Sequence, residues 1–470
     1  MFFVPQGSNL TGFRKLLSLV LLLFASPFVF SQQSPRAMTA ADASAFKHAL
    51  DLQDQGKGAE AEPILKSLAS KYPGSFEAAE SLGLLYAEAG DVNAALPLLE
   101  RAVKLSPRSA LAQANLGAAF VKLSRSDEAV RALQRAAALD PQNAETQSSL
   151  GTALMHVHQA RQASIAFGKA AKLKPDDADL RYNWAVALLD SGEATQAKDV
   201  LTSVPNKESQ AQVQALLGEI AEKQGQFKEA AQHLDAAAKL DPSEPNVYVL
   251  GMEFLKHWTF DPAIKIFEYG VGLYPNSTRL LLGLGISRYA TNDLTASAPL
   301  FAKLLAQDPE SDFYADLLGR SCGLMPESSE GCEKLESFAL KHPKNATVAT
   351  YAAASILHRP KESQDLGAAE KLLDQAIAAD PKLAEAHFQK GILEQYQSRW
   401  KDSVQELETA IALKPDYSKA HYRLALAYSH VGQRDKAQEQ IALQKKYSEE
   451  EKDELNARFK EVTTFLVTMK

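Results

Sequence analysis

Cysteine is scarce in this chain: 470 residues contain two, Cys322 and Cys332. That excludes a fold stapled by several disulfides and a zinc site built from a cysteine cluster, and the spacing is too long for a C-x-x-C redox pair. A surplus of positive charge is also missing. The formal net charge is −7, which argues against a general nucleic-acid binder, whose surface is strongly basic. Catalytic signatures are absent as well: there is no H-E-x-x-H, no phosphate-binding loop, no G-x-S-x-G and no G-x-G-x-x-G after a strand. The ten histidines are scattered, and His156 and His158, two residues apart, do not share a helix face. No catalytic set, metal site or cofactor is therefore expected.

Long apolar runs are missing too, with one exception near the start. Residues 16–30, LLSLVLLLFASPFVF, follow Arg14 and Lys15 and precede Ser31-Gln32-Gln33. Basic lead, apolar stretch and polar exit read as a secretory signal over residues 1–31. The run contains Pro27 and falls short of the ~20 residues that span a bilayer. An uncleaved membrane anchor is the alternative, and the absence of a following cysteine argues against a lipoprotein. The chain is expected in the periplasm or outside the cell.

What the chain does have is a period. The stretch Phe76–Ser109, FEAAESLGLLYAEAGDVNAALPLLERAVKLSPRS, places Leu82, Gly83 and Tyr86 on one helical face. It turns at Ala89-Gly90-Asp91, then places Ala95, Leu99 and Ala102 on a second face before Pro107 stops the helix. Prolines close the units at Pro73, Pro107, Pro141, Pro175, Pro242, Pro275, Pro309, Pro343, Pro381 and Pro415. The steps are 34, 34, 34, 67, 33, 34, 34, 38 and 34. The double step hides a unit whose proline has moved to Pro205, and the 38 carries four extra residues within HRPKESQDLG. A small residue returns in the same phase at Gly83, Gly117, Gly151, Gly218, Gly251, Gly285, Gly319 and Gly391. Such a hairpin buries too little apolar surface to stand alone, so it must stack on its neighbours.

These residues resemble the W-x-x-L-G-x-x-Y…A…F…A…P pattern of tetratricopeptide repeats over nearly the whole chain. The resemblance implies an all-α fold: an α-solenoid of about twelve helix hairpins forming a right-handed superhelix, its concave groove lined by the first helix of each hairpin. On this reading 1–31 is the signal peptide, 32–41 a linker, 42–451 the solenoid and 452–470 a C-terminal capping helix with Leu455, Phe459, Val462 and Leu466 on one face. Hairpin five ends early at Val204-Pro205 and is a candidate kink. The implied function is a noncatalytic scaffold that binds a protein or peptide in the groove. A subunit of a cell-envelope assembly, secretion or polysaccharide-export machine is one alternative; an enzyme is another, for which the repeats leave no room.

The first-helix positions supply candidate groove residues. Acidic ones gather toward the start (Glu77, Glu80, Glu145, Asp179) and basic ones toward the end (Arg279, Arg320, Lys419, Arg423), so the groove is expected to change sign midway. Charge of this kind sets orientation and on-rate more than affinity. Tyr182, Tyr248, Tyr289, Phe388 and Tyr422 offer aromatic anchors. Asn115 and Asn183 stand where the resemblance implies a grip on a peptide backbone. Lys419 and Arg423 match one element of the set with which some family members hold chaperone tails, but Gln389, Thr350 and Ala354 replace the others, which argues against that partner. Cys322 and Cys332 come together in hairpin nine, as a disulfide or as two small buried thiols, while Gly331 replaces that hairpin's alanine.

Overall fold

The computed structural model describes residues 37–325 and 330–450. The signal segment, the first half of the expected linker and the expected capping helix lie outside the described residues. The linker is shorter than expected at its end: Thr39 caps a helix that already begins at Ala40. The chain divides between Pro205 and Asn206 into two compact units. Among the described residues both are helical throughout, without strands.

The first unit contains α1 (Ala40–Asp54), α2 (Gly58–Lys71), α3 (Phe76–Glu88), α4 (Val92–Leu105), α5 (Ala110–Lys122), α6 (Ser126–Leu139), α7 (Ala144–His156), α8 (Ala160–Leu173), α9 (Ala178–Asp190) and α10 (Ala194–Thr202). The second continues with α11 (Ala211–Lys223), α12 (Phe227–Leu240), α13 (Glu244–Lys256), α14 (Phe260–Leu273), α15 (Thr278–Ala290), α16 (Leu294–Gln307), α17 (Asp312–Leu324) and α18 (Glu330–Lys341). It ends with α19 (Ala346–Leu357), α20 (Leu366–Ala379), α21 (Ala384–Tyr396), α22 (Trp400–Leu413) and α23 (Ser418–His430), and with α24, helical over 434–450. Each unit is an α-solenoid: consecutive helices pair as hairpins, and each hairpin packs on the next.

Local chemistry sets the joints. Proline disfavours helical backbone in the residue before it, and Tyr72 and Ser106 accordingly leave the helix at φ −122° and −132°. Two residues after the proline a short polar side chain caps the next helix. Ser75, Ser109, Asn143 and Asp177 accept from the backbone amides of Ala78, Ala112, Thr146 and Leu180. Inside a hairpin the turn is left-handed, at Gly90 (φ 85°) or, without glycine, at Ser124 (φ 58°). There the amides of Asp91 and Arg125 reach back to the carbonyls of Tyr86 and Phe120, each at 2.9 Å.

The periodic glycines serve as sockets. Rather than bringing two backbones together, Gly83 accepts the side chain of Leu99, sixteen residues on. Gly117 accepts Leu133, Gly151 accepts Phe167, Gly218 accepts Leu234, Gly285 accepts Phe301 and Gly391 accepts Leu407 in the same spacing. A Cβ added at Gly117 would lie 2.5 Å from Leu133, well inside any packed contact. The inserted side chains are fully buried or nearly so.

Three hairpins depart from the pattern. In hairpin five α10 has nine residues where α8 and α12 have 14, and the two compact units divide just after it. In hairpin nine Cys322 and Cys332 are bonded, with Cα atoms 5.5 Å apart. Gly331 is not a lost contact there: a Cβ on it would stand 2.9 Å from that of Ala302, so glycine lets α18 lie against α16. In hairpin ten the extra residues form a short 3-10 turn at Lys361–Ser363. Gln364 then donates to the carbonyls of Leu357 and Arg359, closing the longer connection.

Candidate functional site

The first helices carry the residues expected to line a groove, and their environments sort them. In the first unit Glu77, Glu145 and Asp179 are exposed, while Tyr182 and Asn183 are half-buried. Glu80 and Asn115 are not groove residues in the expected sense. Both are 9% exposed, and Asn115 Nδ2 donates to Glu80 Oε1 at 3.3 Å, so they link α3 to α5. In the second unit Phe388 is likewise buried, its ring centred 4.7 Å from that of Tyr417. Tyr248 lies under the Arg279 guanidinium at 5.1 Å. Glu80, Tyr248 and Phe388 share one helical position, the fifth of the first helix, with Asn115 at the sixth, and there the side chain meets the next hairpin. Tyr422, at the same position on α23, is 51% exposed.

Ion pairs reduce the expected change of sign. Arg279 donates from Nε and Nη2 to Glu244 at 2.7 and 2.9 Å, Arg320 Nε pairs with Asp316 at 2.8 Å, and Glu145 meets Lys174 at 3.4 Å. The exposed pairs are worth little individually. Their effect is to neutralise candidates that looked unopposed, because Glu244 and Lys174 lie outside the aligned rows.

What survives is a cluster on α15–α23 of the second unit. Among the described residues Lys419 and Arg423 form no ion pair; Arg423 Nη1 donates to Gln395 Oε1 at 3.3 Å. Burial, and after it the positive charges of Arg423 and Lys419, hold His358 below its ordinary value, opposed by a hydrogen bond to the Met325 backbone and by Glu385. His358 Nδ1 and Gln389 Oε1 are buried without a hydrogen-bond partner. Arg320 lies 5.8 Å over the ring of Tyr351, whose hydroxyl is pushed up to about 12, chiefly by burial. Tyr289 is half-buried beside them. Tyr351 was missed in the sequence because alanines surround it on α19 and give no hint of a polar face, and His358 because it falls just past that helix, at its C-cap.

Glu80 carries a pH signature. Burial lifts its carboxyl from 4.5 to about 7, partly offset by the Asn115 hydrogen bond and raised again by Glu77. A raised folded value means a stability contribution that is complete below pH 4.5 and lost as pH rises through 7. Glu80→Gln keeps an acceptor for Asn115 and removes the buried charge. The variant is expected to be more stable than the parent by about 2 kcal/mol at pH 8 and equal to it at pH 4.5. Thermal melts at the two pH values check this.

The comparisons fit the repeat pattern. Tetratricopeptide repeat models match residues 46–110, 83–144, 248–312 and 388–442, 154–220 and 211–244. No curated protein matches the chain in sequence. Among solved structures, the Naa15/Naa10 complex bound to HypK-THB is 17% identical, covering 86% of this chain and 68% of that one, at a TM-score of 0.38. YrrB, described as a TPR protein with an unusual peptide-binding site, is 18% identical over 39% of this chain and 94% of its own, at 0.37. The pilF protein of Pseudomonas aeruginosa is 20% identical over 44% of this chain and 94% of its own, also at 0.37. Repeats of this kind bind protein or peptide partners and are in general noncatalytic scaffolds. With the matched repeats running through both compact units and the proline, glycine and capping positions in one phase, the chain belongs to the tetratricopeptide-repeat family.

Proposed function

We propose that the protein is a noncatalytic scaffold whose first-helix face between α17 and α23 holds an extended, acidic protein segment. One observation carries the reading: among the described residues Lys419 and Arg423 form no ion pair, and their charges act on His358, whose Nδ1 is buried without a hydrogen-bond partner. A carboxylate entering there would meet two cations and extend along Tyr351 and Tyr422, which supply apolar contact and hydroxyls. The cation-rich end supports one polarity only, acidic segment to basic helix. The apolar leader at 16–30 and the bonded Cys322–Cys332 pair support an exported protein, since such bonds persist in oxidising compartments.

An array of acidic peptides with free carboxyl termini, probed with the full chain, tests the reading. Hydrogen bonds to charged groups contribute about 1.5–3 kcal/mol each. Lys419→Ala with Arg423→Ala is therefore expected to weaken capture by roughly ten- to a hundredfold, with the parent's binding falling as salt rises. Equal binding by parent and double variant would overturn it.

A further inference from the structure

We infer that α11 and α13 form a binding site for one divalent cation of the zinc class, with Glu222, Glu253 and His257 as ligands. In the sequence the three residues were not brought together as a ligand set. Glu253 and His257 lie one turn apart on α13, and Glu222 arrives from α11, the first helix of the preceding hairpin. One donor atom from each lies within 4.8 Å of the other two. His257 Nε2 stands 3.3 Å from Glu222 Oε2 and 3.4 Å from Glu253 Oε1. Four ligands around zinc at about 2.0–2.1 Å place their donor atoms about 3.3–3.4 Å apart, so the imidazole-to-carboxylate spacings equal the edges of such a tetrahedron.

Glu253 makes the cluster more than an acidic patch. Its side chain is 2% exposed, and Oε1, the atom that faces His257, has no hydrogen bond. A buried carboxylate oxygen without a donor is costly, and a cation is the partner that satisfies it. The other oxygens are already engaged: Lys256 Nζ lies 3.6 Å from Glu222 Oε1 and 4.0 Å from Glu253 Oε2. Lys256 thus sits behind the carboxylates, orienting each so that its remaining oxygen points at the imidazole. The ring of Phe227, centred 4.0 Å from that of His257, holds the imidazole in place. One nitrogen and two carboxylate oxygens suit zinc and its first-row neighbours better than calcium or magnesium, which take oxygen alone. Three protein ligands leave a fourth position for water.

The test uses the tag-free full chain stripped with chelator, and zinc chloride alone as the probe. Calorimetry is expected to show one saturable equivalent, and cobalt(II) in its place is expected to give the intense visible absorption of a tetrahedral site. Glu253→Gln and His257→Asn should each weaken zinc binding by about a hundredfold while circular dichroism stays that of the parent. Lys256→Met, which touches no ligand atom on the imidazole side, should retain the equivalent. If Glu253→Gln disturbs folding, Glu222→Gln at the more exposed edge carries the same expectation. Absence of a saturable equivalent in the parent, or equal affinity in the ligand variants, overturns the site in favour of an imidazolium bridging two carboxylates.

Discussion

Phe267→Ala is expected to cost about 3–5 kcal/mol, the range for emptying a fully buried aromatic site. Phe267 is 0% exposed on α14, and its ring fills two sockets at once. A Cβ at Gly251 of α13 would stand 2.6 Å from it, and one at Gly283 of α15 would stand 2.5 Å away. The ring therefore fastens its own hairpin and ties that hairpin to the next, the neighbour coupling from which a repeat array draws its stability. The sockets also supply a rescue. Gly283→Ala alone should destabilise, since its methyl meets the ring. In the Phe267→Ala background the same methyl enters the vacated space and removes a flexible glycine from a helix, so the double variant should be more stable than Phe267→Ala. Urea denaturation of the four proteins measures this cycle, and additive effects would count against the socket.

Arg399→Ala is expected to cost about 3 kcal/mol near neutral pH, and less as pH falls. Arg399 donates to Glu370 at 2.7 Å and to both oxygens of Glu394, a side chain only 5% exposed. Removing the guanidinium leaves Glu394 buried, with the charge of Lys390 as the remaining compensation. Burial already raises Glu394, and Arg399 holds it down, whereas Arg399 is the main cause that lowers Glu370. Both signs run the same way. In the variant Glu394 rises further, so its ionised form is penalised at neutral pH; the parent's gain from Glu370 exists only above the unfolded carboxylate range. The difference between parent and variant should narrow on acidification through that range. A deficit independent of pH between 4 and 8 would assign the loss to packing of the arginine stem instead.

The frame of this molecule was legible because each period repeats the same stop, cap and socket. Pro107, Ser109, Gly117 and Leu133 each do one job, and each has counterparts 34 residues away. The candidate site was legible only in outline. Spacing along one helix places Glu80 and Phe388 on the expected face, but it does not reveal that the neighbouring hairpin covers them. Glu80 and Asn115 are 35 residues apart, one period plus one, and that offset is the available sign that they meet across hairpins. Arg279 looked unopposed because its partner, Glu244, lies at the start of the preceding first helix, outside the aligned rows. Tyr351 and His358 gave no sign at all, since their importance comes from Arg320, Lys419 and Arg423 on other helices.

The joint between hairpins has a genetic consequence. Ser109 and Asn143 follow prolines at the same distance and cap helices of the same length. Cutting out residues 110–143 would set Ala144 directly after Ser109, and the junction would again read as a stop followed by a cap. Recombination can thus shorten or lengthen such a gene in whole steps without inventing a new connection, whereas a cut of any other length strands a knob without its pit.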